Sequence, residues 1–363
     1  MQVAIRADAS SQIGGGHIAR CMTLAEELRD RGATVRFLCL ELPGNMISVL
    51  RDSGYQVDVL SYSTAPPGIG TATCGTIDAG QVQLVDASQA IKALRDFQCD
   101  WLIEDHYQMD ATWENAVRPY TRSLLVIDDL ANRKHDCDVL VDPTYGGSAD
   151  RYSGLLNRGA ICLCGSQYAL LRRQFLTHRP SGPKTFKGAR DLKVHIFFGS
   201  SDLPDNTHRF SEILLQNFES LRVSAVVGKE YGFSGRLAEL QKRFGAARFA
   251  WEMDVADMAA SMVECDIAVG APGGATWERA ALGLPAAYLA VSESQCGILE
   301  HLSACGLCIY LGRADQLADS GFIEAMHDFL GDSPRLEQFR RQGMLAVDAC
   351  GTPRVADILE RNS

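Results

Sequence analysis

The composition of the chain limits the classes of protein to which it can belong. The 363 residues are 46% hydrophobic and 22% charged, and the formal net charge is −10. Nucleic-acid binders and membrane-surface proteins need basic patches to meet phosphate, so this charge argues against both classes. The length is sufficient for two medium-sized domains, each with its own hydrophobic core.

The sequence contains no recognisable targeting or membrane segment. Residues 1–6 lack the basic start and long apolar run of a signal peptide, and no apolar run of about 18 residues occurs. We therefore expect a cytoplasmic protein whose 12 cysteines are reduced thiols. The close pairs Cys162/Cys164 and Cys305/Cys308 have no second pair or histidines at zinc spacing, so we interpret the cysteines as core residues and predict neither a metal nor a cofactor.

Short β-like runs alternate with amphipathic helical runs along the first part of the chain. The predicted elements, in order, are strand 2–6, helix 18–30, strand 34–39, helix 45–52, strand 56–60, helix 87–97, strand 101–104, helix 111–120 and strand 124–127. This alternation predicts a parallel sheet that is covered by helices on both faces.

The pattern lapses over residues 176–191, where two prolines, two glycines and five basic residues favour a linker. Alternation resumes with these predicted elements: strand 192–198, helix 205–218, strand 221–227, helix 236–244, strand 248–251, helix 256–264, strand 267–269, helix 276–282, strand 286–289 and a helical tail from about residue 320. We therefore predict α/β domains over 1–178 and 190–363, with the last helices returning to the first domain. Open parallel sheets bind ligands beyond the carboxyl ends of their strands, which predicts an interdomain cleft.

The first predicted strand leads into a glycine-rich loop. Gly14, Gly15 and Gly16 precede His17 at the start of a helix. Glycines let backbone N–H groups approach an anion or a sugar, and the helix start adds partial positive charge. The loop fits neither the dinucleotide nor the ATP motif. A neutral imidazole here can act as a base, although a histidine can also simply cap or pack at a helix start.

Polar residues also follow later strands of the first domain. One strand is followed by Asp105, His106 and Tyr107, which suit contacts with sugar hydroxyls and proton handling. The alternative is that Asp105 caps the next helix and His106 packs. Asp128 and Asp129 end another strand, but no third ligand is spaced for a metal, so we interpret this pair as cap and turn residues.

The second domain contains a similar arrangement. One strand runs into Gly199, and another leads to Gly273 and Gly274 before a helix that we expect to begin at Thr276. Two glycines and a threonine at a helix start can cradle a diphosphate. Glu278, predicted in the first turn, can accept hydrogen bonds from ribose hydroxyls, or it can simply favour the helix dipole.

Five segments together resemble the PseG family of UDP-2,4-diacetamido-2,4,6-trideoxy-β-L-altropyranose hydrolases, which is similar to MurG and other glycosyltransferases of the GT-B fold. In chain order they are RADASSQIGGGHIARCMTLAEEL, EDHYQMD, VIDDLANRKHDCDVLVDP, CGSQYALLRRQF and GAPGGATWERAALGLP. The resemblance extends over essentially the whole chain. It implies a GT-B-like α/β fold of two Rossmann-like domains, with the sugar and the base on 1–178 and UDP on 190–363.

The resemblance implies inverting hydrolysis of a UDP-sugar, without metal or cofactor, in the synthesis of pseudaminic acid for flagellin or another surface glycan. His17 would activate water and Tyr107 would position the sugar or the water. The substrate contacts that it implies are Asp8, Gly14, Gly15, Gly16, Asp105, Gly199, Gly273, Gly274, Thr276, Glu278, Ser294 and Gln295. The expected partner is a small UDP-sugar, with no nucleic acid and no membrane insertion; the oligomeric state stays open.

Three motifs depart from the family pattern. Ser294 stands where E-N-Q has asparagine, Ser200 stands in place of the second glycine of G-G-x-D, and Pro143 and Thr144 interrupt D-Q-N-x-G. These departures bear on the sugar, so a sibling hydrolase of a related UDP-sugar is an alternative. A MurG-like glycosyltransferase is another, although no apolar, basic-rimmed face is evident before residue 130. A non-catalytic binder is a third, but it would not need His17.

Overall fold

The computed structural model describes residues 1–61, 79–182 and 191–362. The chain divides into two compact units, Met1–Leu171 together with Cys350–Ser363, and Arg172–Ala349. This boundary lies before the predicted linker, of which residues 183–190 are outside the described part. The boundary between the units lies at Arg172, and Cys350–Ser363 belong to the first unit.

The first unit contains a parallel sheet. Its described strands are β1 (Gln2–Ala7), β2 (Thr34–Leu40), β3 (Gln56–Leu60), β4 (Cys99–Asp105), β5 (Thr121–Ile127), β6 (Val139–Asp142) and β7 (Ile161–Cys164). They lie in the order β3-β2-β1-β4-β5-β6-β7, and each neighbouring pair is parallel. The order reverses between β1 and β4, which makes the carboxyl ends of these two strands the expected ligand position.

Helices cover both faces of this sheet. They include α1 (Gly16–Asp30), α2 (Ile47–Asp52), α3 (Ala79–Leu94) and α4 (Ala111–Val117). Successive strand residues point to opposite faces, so Val3 and Ile5 join one hydrophobic core with α1, while Ala4 joins another with α3 and α4. Helix α1 forms because its apolar residues recur at helical spacing, with Ile18, Cys21 and others buried on one side.

The second unit contains another parallel sheet. Its described strands are β8 (Lys193–Phe197), β9 (Arg222–Val227), β10 (Phe249–Met253), β11 (Ile267–Gly270), β12 (Ala286–Ala290) and β13 (Ile309–Arg313), in the order β10-β9-β8-β11-β12-β13. Its helices are α5 (Arg173–Thr177), α6 (Asn206–Asn217), α7 (Ser234–Phe244), α8 (Met258–Val263), α9 (Gly274–Ala281), α10 (Cys296–Ala304), α11 (Asp319–Gly331) and α12 (Ser333–Ala346). The prediction of an α/β chain with two Rossmann-like parallel sheets is confirmed.

Helix α13 (Gly351–Arg361) belongs to the first unit although it follows the second unit in sequence. Its apolar side joins the core that contains α1. The indole Nε1 of Trp101 on β4 donates a hydrogen bond to the carbonyl of Leu359 at 3.0 Å. Arg31, just after α1, forms an ion pair of 2.6 Å with Asp357. These contacts attach α13 firmly to the first unit.

None of the helices in the described ranges is both long enough and apolar enough to cross a membrane.

Candidate active site

His17 and Asp105 meet at the carboxyl ends of two adjacent strands. His17 is the second residue of α1, which follows β1, and Asp105 ends the neighbouring strand β4. The imidazole Nδ1 of His17 lies 2.6 Å from Oδ1 of Asp105 and 3.3 Å from the guanidinium of Arg20. The contact with the carboxylate is the shorter, so we assign the proton to Nδ1. The lone pair is then on Nε2, where the ring can accept a proton.

Arg20 fixes the carboxylate that orients His17. It lies one turn further along α1, and its Nε and Nη2 each donate to Asp105 over 2.6 Å, while Nη1 donates to Asp129 over 3.0 Å. Burial raises the pKa of Asp105, but the charge of Arg20 and the contact with His17 outweigh burial and hold this pKa well below its usual range. Asp105 therefore stays ionised beside the imidazole.

Tyr107 stands at the exposed side of His17. The two rings meet edge to face, with centroids 4.5 Å apart and an interplanar angle of 81°. The hydroxyl donates to Asp129 over 3.3 Å. Burial and the nearby Asp129 carboxylate raise the pKa of Tyr107, so the phenol remains a proton-bearing donor. Because 44% of this residue is exposed, part of its side chain is accessible to a ligand.

The structure excludes the alternative interpretation of Asp105 and adds contacts to Asp129. Asp105 does not cap α4, because the cap is Asp110, whose carboxylate accepts from the amide of Thr112 at 2.7 Å. Asp129 is more than a turn residue, since it contacts both Arg20 and Tyr107. The only sequence signal for Asp129 was its place directly after a predicted strand.

Asp8 lies beside this group but has no exposed surface. Its carboxylate forms an ion pair of 2.7 Å with Arg6, accepts from the amide of Leu40 at 2.8 Å, and faces the Nε2 of His106 at 3.4 Å. These contacts connect β1 to β2 and to the segment after β4. A direct contact between Asp8 and a substrate, as predicted, would require some of these bonds to break.

The glycine loop leaves open space beside the start of α1. Gly14 has φ +74°, a conformation that favours glycine, and a Cβ added at Gly14 or Gly16 would meet no atom within 4 Å. At Gly15 a Cβ would approach the sulfur of Met46 to 2.7 Å, so a larger residue there would require this flexible side chain to move. No side chain caps α1, which leaves its first N–H groups available to an anion.

The second unit also has glycines just beyond the carboxyl ends of two adjacent strands. Gly199 follows β8 and Gly273 precedes α9, after β11, and these two strands pair directly. The φ angles of Gly199 and Gly273 are +102° and +101°, and a Cβ at either residue or at Gly274 would meet nothing within 4 Å. No side chain caps α9. The strand order reverses between β8 and β11, so this edge is the expected ligand position of the second sheet.

The predicted start of α9 was wrong by two residues. The helix begins at Gly274, so Thr276 lies inside its first turn and Glu278 lies in the second turn. The prediction failed because threonine favours the cap position and glycine disfavours helix, whereas here Gly273 is the cap residue. The Oε1 of Glu278 accepts from Arg172 at 3.0 Å.

Ser294 and Gln295 lie in a short 3₁₀ turn, Glu293–Gln295, before α10. The Ser294 hydroxyl is 2.9 Å from the hydroxyl of Ser292, and it is exposed. The side-chain oxygen of Gln295 accepts from the amide of Val291 at 2.9 Å. Gln295 therefore shapes its own loop, while Ser294 is accessible.

No protein-family model matches the chain. An uncharacterized protein of Methanocaldococcus jannaschii is 22% identical over 300 residues, which are 81% of this chain and 57% of that protein. The UDP-2,4-diacetamido-2,4,6-trideoxy-β-L-altropyranose hydrolase of Campylobacter jejuni is 28% identical over 175 residues, 48% of this chain and 53% of that protein. The chain thus spans little more than half the length of the curated relatives that it matches.

Solved structures share the fold over 99% of this chain. MurG of Acinetobacter baumannii superposes with a TM-score of 0.65 at 15% identity, over 99% of its own chain. The UDP-GlcNAc 2-epimerase of Neisseria meningitidis, solved with UDP-GlcNAc bound, gives 0.59 at 11% identity over 100% of its chain. The chain therefore has a GT-B-like fold, and at these identities the likeness establishes the fold alone.

Proposed function

We propose that the chain hydrolyses a UDP-linked 2,4-diacetamido-2,4,6-trideoxy sugar to UDP and the free sugar, with inversion, in pseudaminic acid synthesis. The observation that carries the proposal is the 2.6 Å contact between His17 and Asp105. This contact leaves an acceptor nitrogen next to an open glycine loop. The motifs around both residues, and the name of the Campylobacter jejuni relative, supply the substrate class.

In the proposed reaction His17 is the general base. Its Nε2 takes a proton from water while the water oxygen attacks the anomeric carbon, and the bond from that carbon to the β-phosphate oxygen breaks with its electron pair passing to UDP. Asp105 holds the ring with Nε2 directed away from it and stabilises the imidazolium that forms. One direct displacement inverts the anomeric centre. UDP is a good leaving group, so no second carboxylate is required as acid.

Tyr107 is proposed to position the sugar or the attacking water. Its hydroxyl is a protonated donor on the exposed side of His17, and the edge-to-face contact restricts both rings. Asp129 contacts the hydroxyl of Tyr107 and also Arg20, so the phenol and the orienting carboxylate share one network. This arrangement favours a fixed distance between the base and the group that it acts on.

In the second unit, the nucleotide contacts are proposed for the residues that the resemblance implies. The uncapped start of α9 with Gly273 and Gly274 would receive the diphosphate, because N–H groups and the helix dipole favour an anion there. Glu278 would accept hydrogen bonds from the ribose hydroxyls, and its ion pair with Arg172 fixes its carboxylate.

The test is to incubate the pure protein with a panel of UDP-sugars without any acceptor. We expect UDP and free sugar to appear in equal amounts from the 2,4-diacetamido-trideoxy substrate, with the inverted anomer seen first by proton NMR. His17→Asn serves as the inactive control. UDP release only after an alcohol is added would identify a MurG-like transferase instead, and isomerisation of the UDP-sugar would identify an epimerase.

One observation favours a sibling hydrolase with a different sugar. Ser294 is exposed and shorter than the asparagine of the family motif, and it lacks the two amide donors. We predict that Ser294→Asn shifts the preference among UDP-sugars while UDP affinity stays level. Kinetics on the panel together with calorimetry of UDP binding measure this. An equal loss on every sugar, or no change on any, would show that the position does not contact the sugar.

A further inference from the structure

A buried cluster of ionisable side chains lies in the first unit outside the His17 site. Glu104 on β4 and Glu114 on α4 are 0% exposed, and His135, between β5 and β6, is 2% exposed. One potential ligand atom from each residue lies within 4.8 Å of the other two. The proposed reaction uses none of these three side chains, so the cluster requires its own explanation.

Glu104 is the unexplained member of the cluster. Neither of its carboxylate oxygens has a hydrogen-bond partner among the described residues. Glu114, by contrast, has both oxygens engaged, with Oε1 2.6 Å from the Nδ1 of His135 and Oε2 accepting from the amide of Asp136. A carboxylate that is fully buried without a partner is strongly unfavourable, so Glu104 indicates a missing positive group.

Arg133 does not supply a hydrogen bond to Glu104. Its Nη1 binds Asp128 over 2.6 Å, and its other donors go to the carbonyls of Met109 and His106. The carboxyl groups of Glu104 and Glu114 therefore lie together in a dry environment without a bound cation side chain at Glu104 among the described residues. A single divalent cation would pair with both carboxylates.

The orientation of His135 also suits a metal ligand. Its Nδ1 faces Glu114, while its Nε2 has no hydrogen-bond partner and lies 3.8 Å from the Oδ2 of Asp128. Asp128 is itself fixed, because Tyr152 donates to the same oxygen over 3.0 Å. With Asp128 on the Nε2 side, Nδ1 is the nitrogen that would ligate, and metal binding would displace the proton that Nδ1 now shares with Glu114.

We propose that Glu104, Glu114 and His135 bind one divalent transition-metal ion, with zinc the best match. Two carboxylates and an imidazole form a donor set that zinc accepts in tetrahedral sites, and zinc imposes no geometric preference of its own. The three residues fill three of the four tetrahedral positions and leave the fourth to water, and the ion would join β4 to α4 next to Asp105. The sequence did not suggest this site because its three ligands follow no short spacing motif. The proposal is independent of the proposed reaction.

The experiment begins with protein stripped of metal by a chelator and then titrated with Co²⁺ and Zn²⁺. We expect one equivalent of Co²⁺ to give visible d–d absorption without the near-ultraviolet band of a cobalt–thiolate bond. Zn²⁺ should displace it and raise the Tm. Glu104→Leu should abolish stoichiometric binding and the rise in Tm, because it replaces a ligand with an apolar side chain of similar size.

Two control variants test whether a thiol or a surface carboxylate binds the metal instead. Cys162→Ser removes a thiol that lies 3.1 Å from the thiol of Cys164, and Glu264→Gln removes an exposed carboxylate. Both should bind metal like the wild type. If Glu104→Leu does not fold, Glu104→Gln should bind at least about tenfold more weakly. Unchanged binding in the Glu104 variants, or no stoichiometric binding by the wild type, would overturn the proposal. A more stable Glu104→Leu protein without any metal effect would show that protons neutralise the cluster instead.

Discussion

At the scale of single residues, the proton on Nδ1 determines the chemistry available to His17. We predict that His17→Asn lowers kcat about 10²–10⁴-fold, because asparagine can still bind Asp105 but cannot accept a proton from water. UDP affinity should change little. Steady-state UDP release and calorimetry measure the two quantities.

The control for this prediction is His301→Asn, which changes an exposed imidazole of the second unit. It should leave the rate unaltered. A folded His17→Asn protein that turns over within about threefold of wild type would contradict the role of His17 as base and favour packing at the helix start.

Asp105→Asn tests whether the carboxylate orients the base. The amide offers one acceptor oxygen instead of two, so Arg20 and Nδ1 of His17 compete for it, and Arg20 keeps only Asp129 as an ion-pair partner. We predict a fall in kcat of about 10²–10⁴-fold and a loss of about 3 kcal/mol in the free energy of unfolding. Enzyme kinetics and urea denaturation measure both effects.

Asp129→Asn is the matched variant, because Asp129 contacts Arg20 but not the imidazole. Its effect on kcat should be clearly smaller than that of Asp105→Asn. Equal effects would mean that the network acts through Arg20 or Tyr107 and that the tautomer of His17 is unimportant.

Local motifs in the sequence suggested several residues of the candidate site. His17 and the glycines follow a strand and open a helix, and Tyr107 follows another strand, so pattern alone suggested them. The contacts of Arg20, Asp129 and Glu104 depend on which strands become neighbours. Strand order results from tertiary packing, and a single sequence does not encode it locally.

At the scale of elements, the alternation of strands and helices was predictable because parallel strands buried on both faces appear as apolar runs. The strands β7 and β13 were missed for a physical reason. β7 is an apolar run of only four residues, ICLC, and β13, IYLGR, is partly buried throughout and ends in Gly-Arg, so neither has the length and pattern of an ordinary buried strand. Helix limits were less predictable: α9 begins at Gly274, two residues before its predicted start, and α3 begins at Ala79, eight residues before its predicted start.

Nucleotide binding can be tested at Glu278, in the second turn of α9. Glu278→Ala should weaken UDP binding by about 1.5–3 kcal/mol, the usual contribution of a hydrogen bond to a charged group. Calorimetry measures the affinity, and Glu264→Ala, which removes an exposed carboxylate of the same unit, is the control. Unchanged UDP affinity in a folded Glu278→Ala protein would exclude the ribose contact.

At the scale of the whole molecule, one buried histidine should make stability depend on pH. His195 on β8 has no exposed surface and neither ring nitrogen has a partner among the described residues. Burial lowers the pKa of His195 to about 3, against about 6.5 in the unfolded chain. The unfolded state therefore binds the extra proton between these values.

The contribution of the neutral His195 to the free energy of unfolding is complete above about pH 6.5. As the pH falls from there towards 3, the free energy of unfolding decreases by about 1.4 kcal/mol per pH unit. His195→Leu should remove that part of the slope, while His301→Gln should not. Urea denaturation at several pH values between about 4 and 7 measures the slope. An identical slope in His195→Leu and wild type would contradict a neutral buried imidazole.

The first unit is completed by helix α13, which is synthesised after the whole of the second unit. The ribosome completes all of Arg172–Ala349 before it adds the helix that carries Leu359 and Asp357. Until then, the indole of Trp101 has no carbonyl from Leu359 to bind, and one side of α1 lacks its cover. We therefore expect the first unit to complete its folding after the second unit, although its synthesis begins first. The nascent first unit presents an uncovered apolar surface, of the kind that chaperones bind, for the whole time that the second unit is being made.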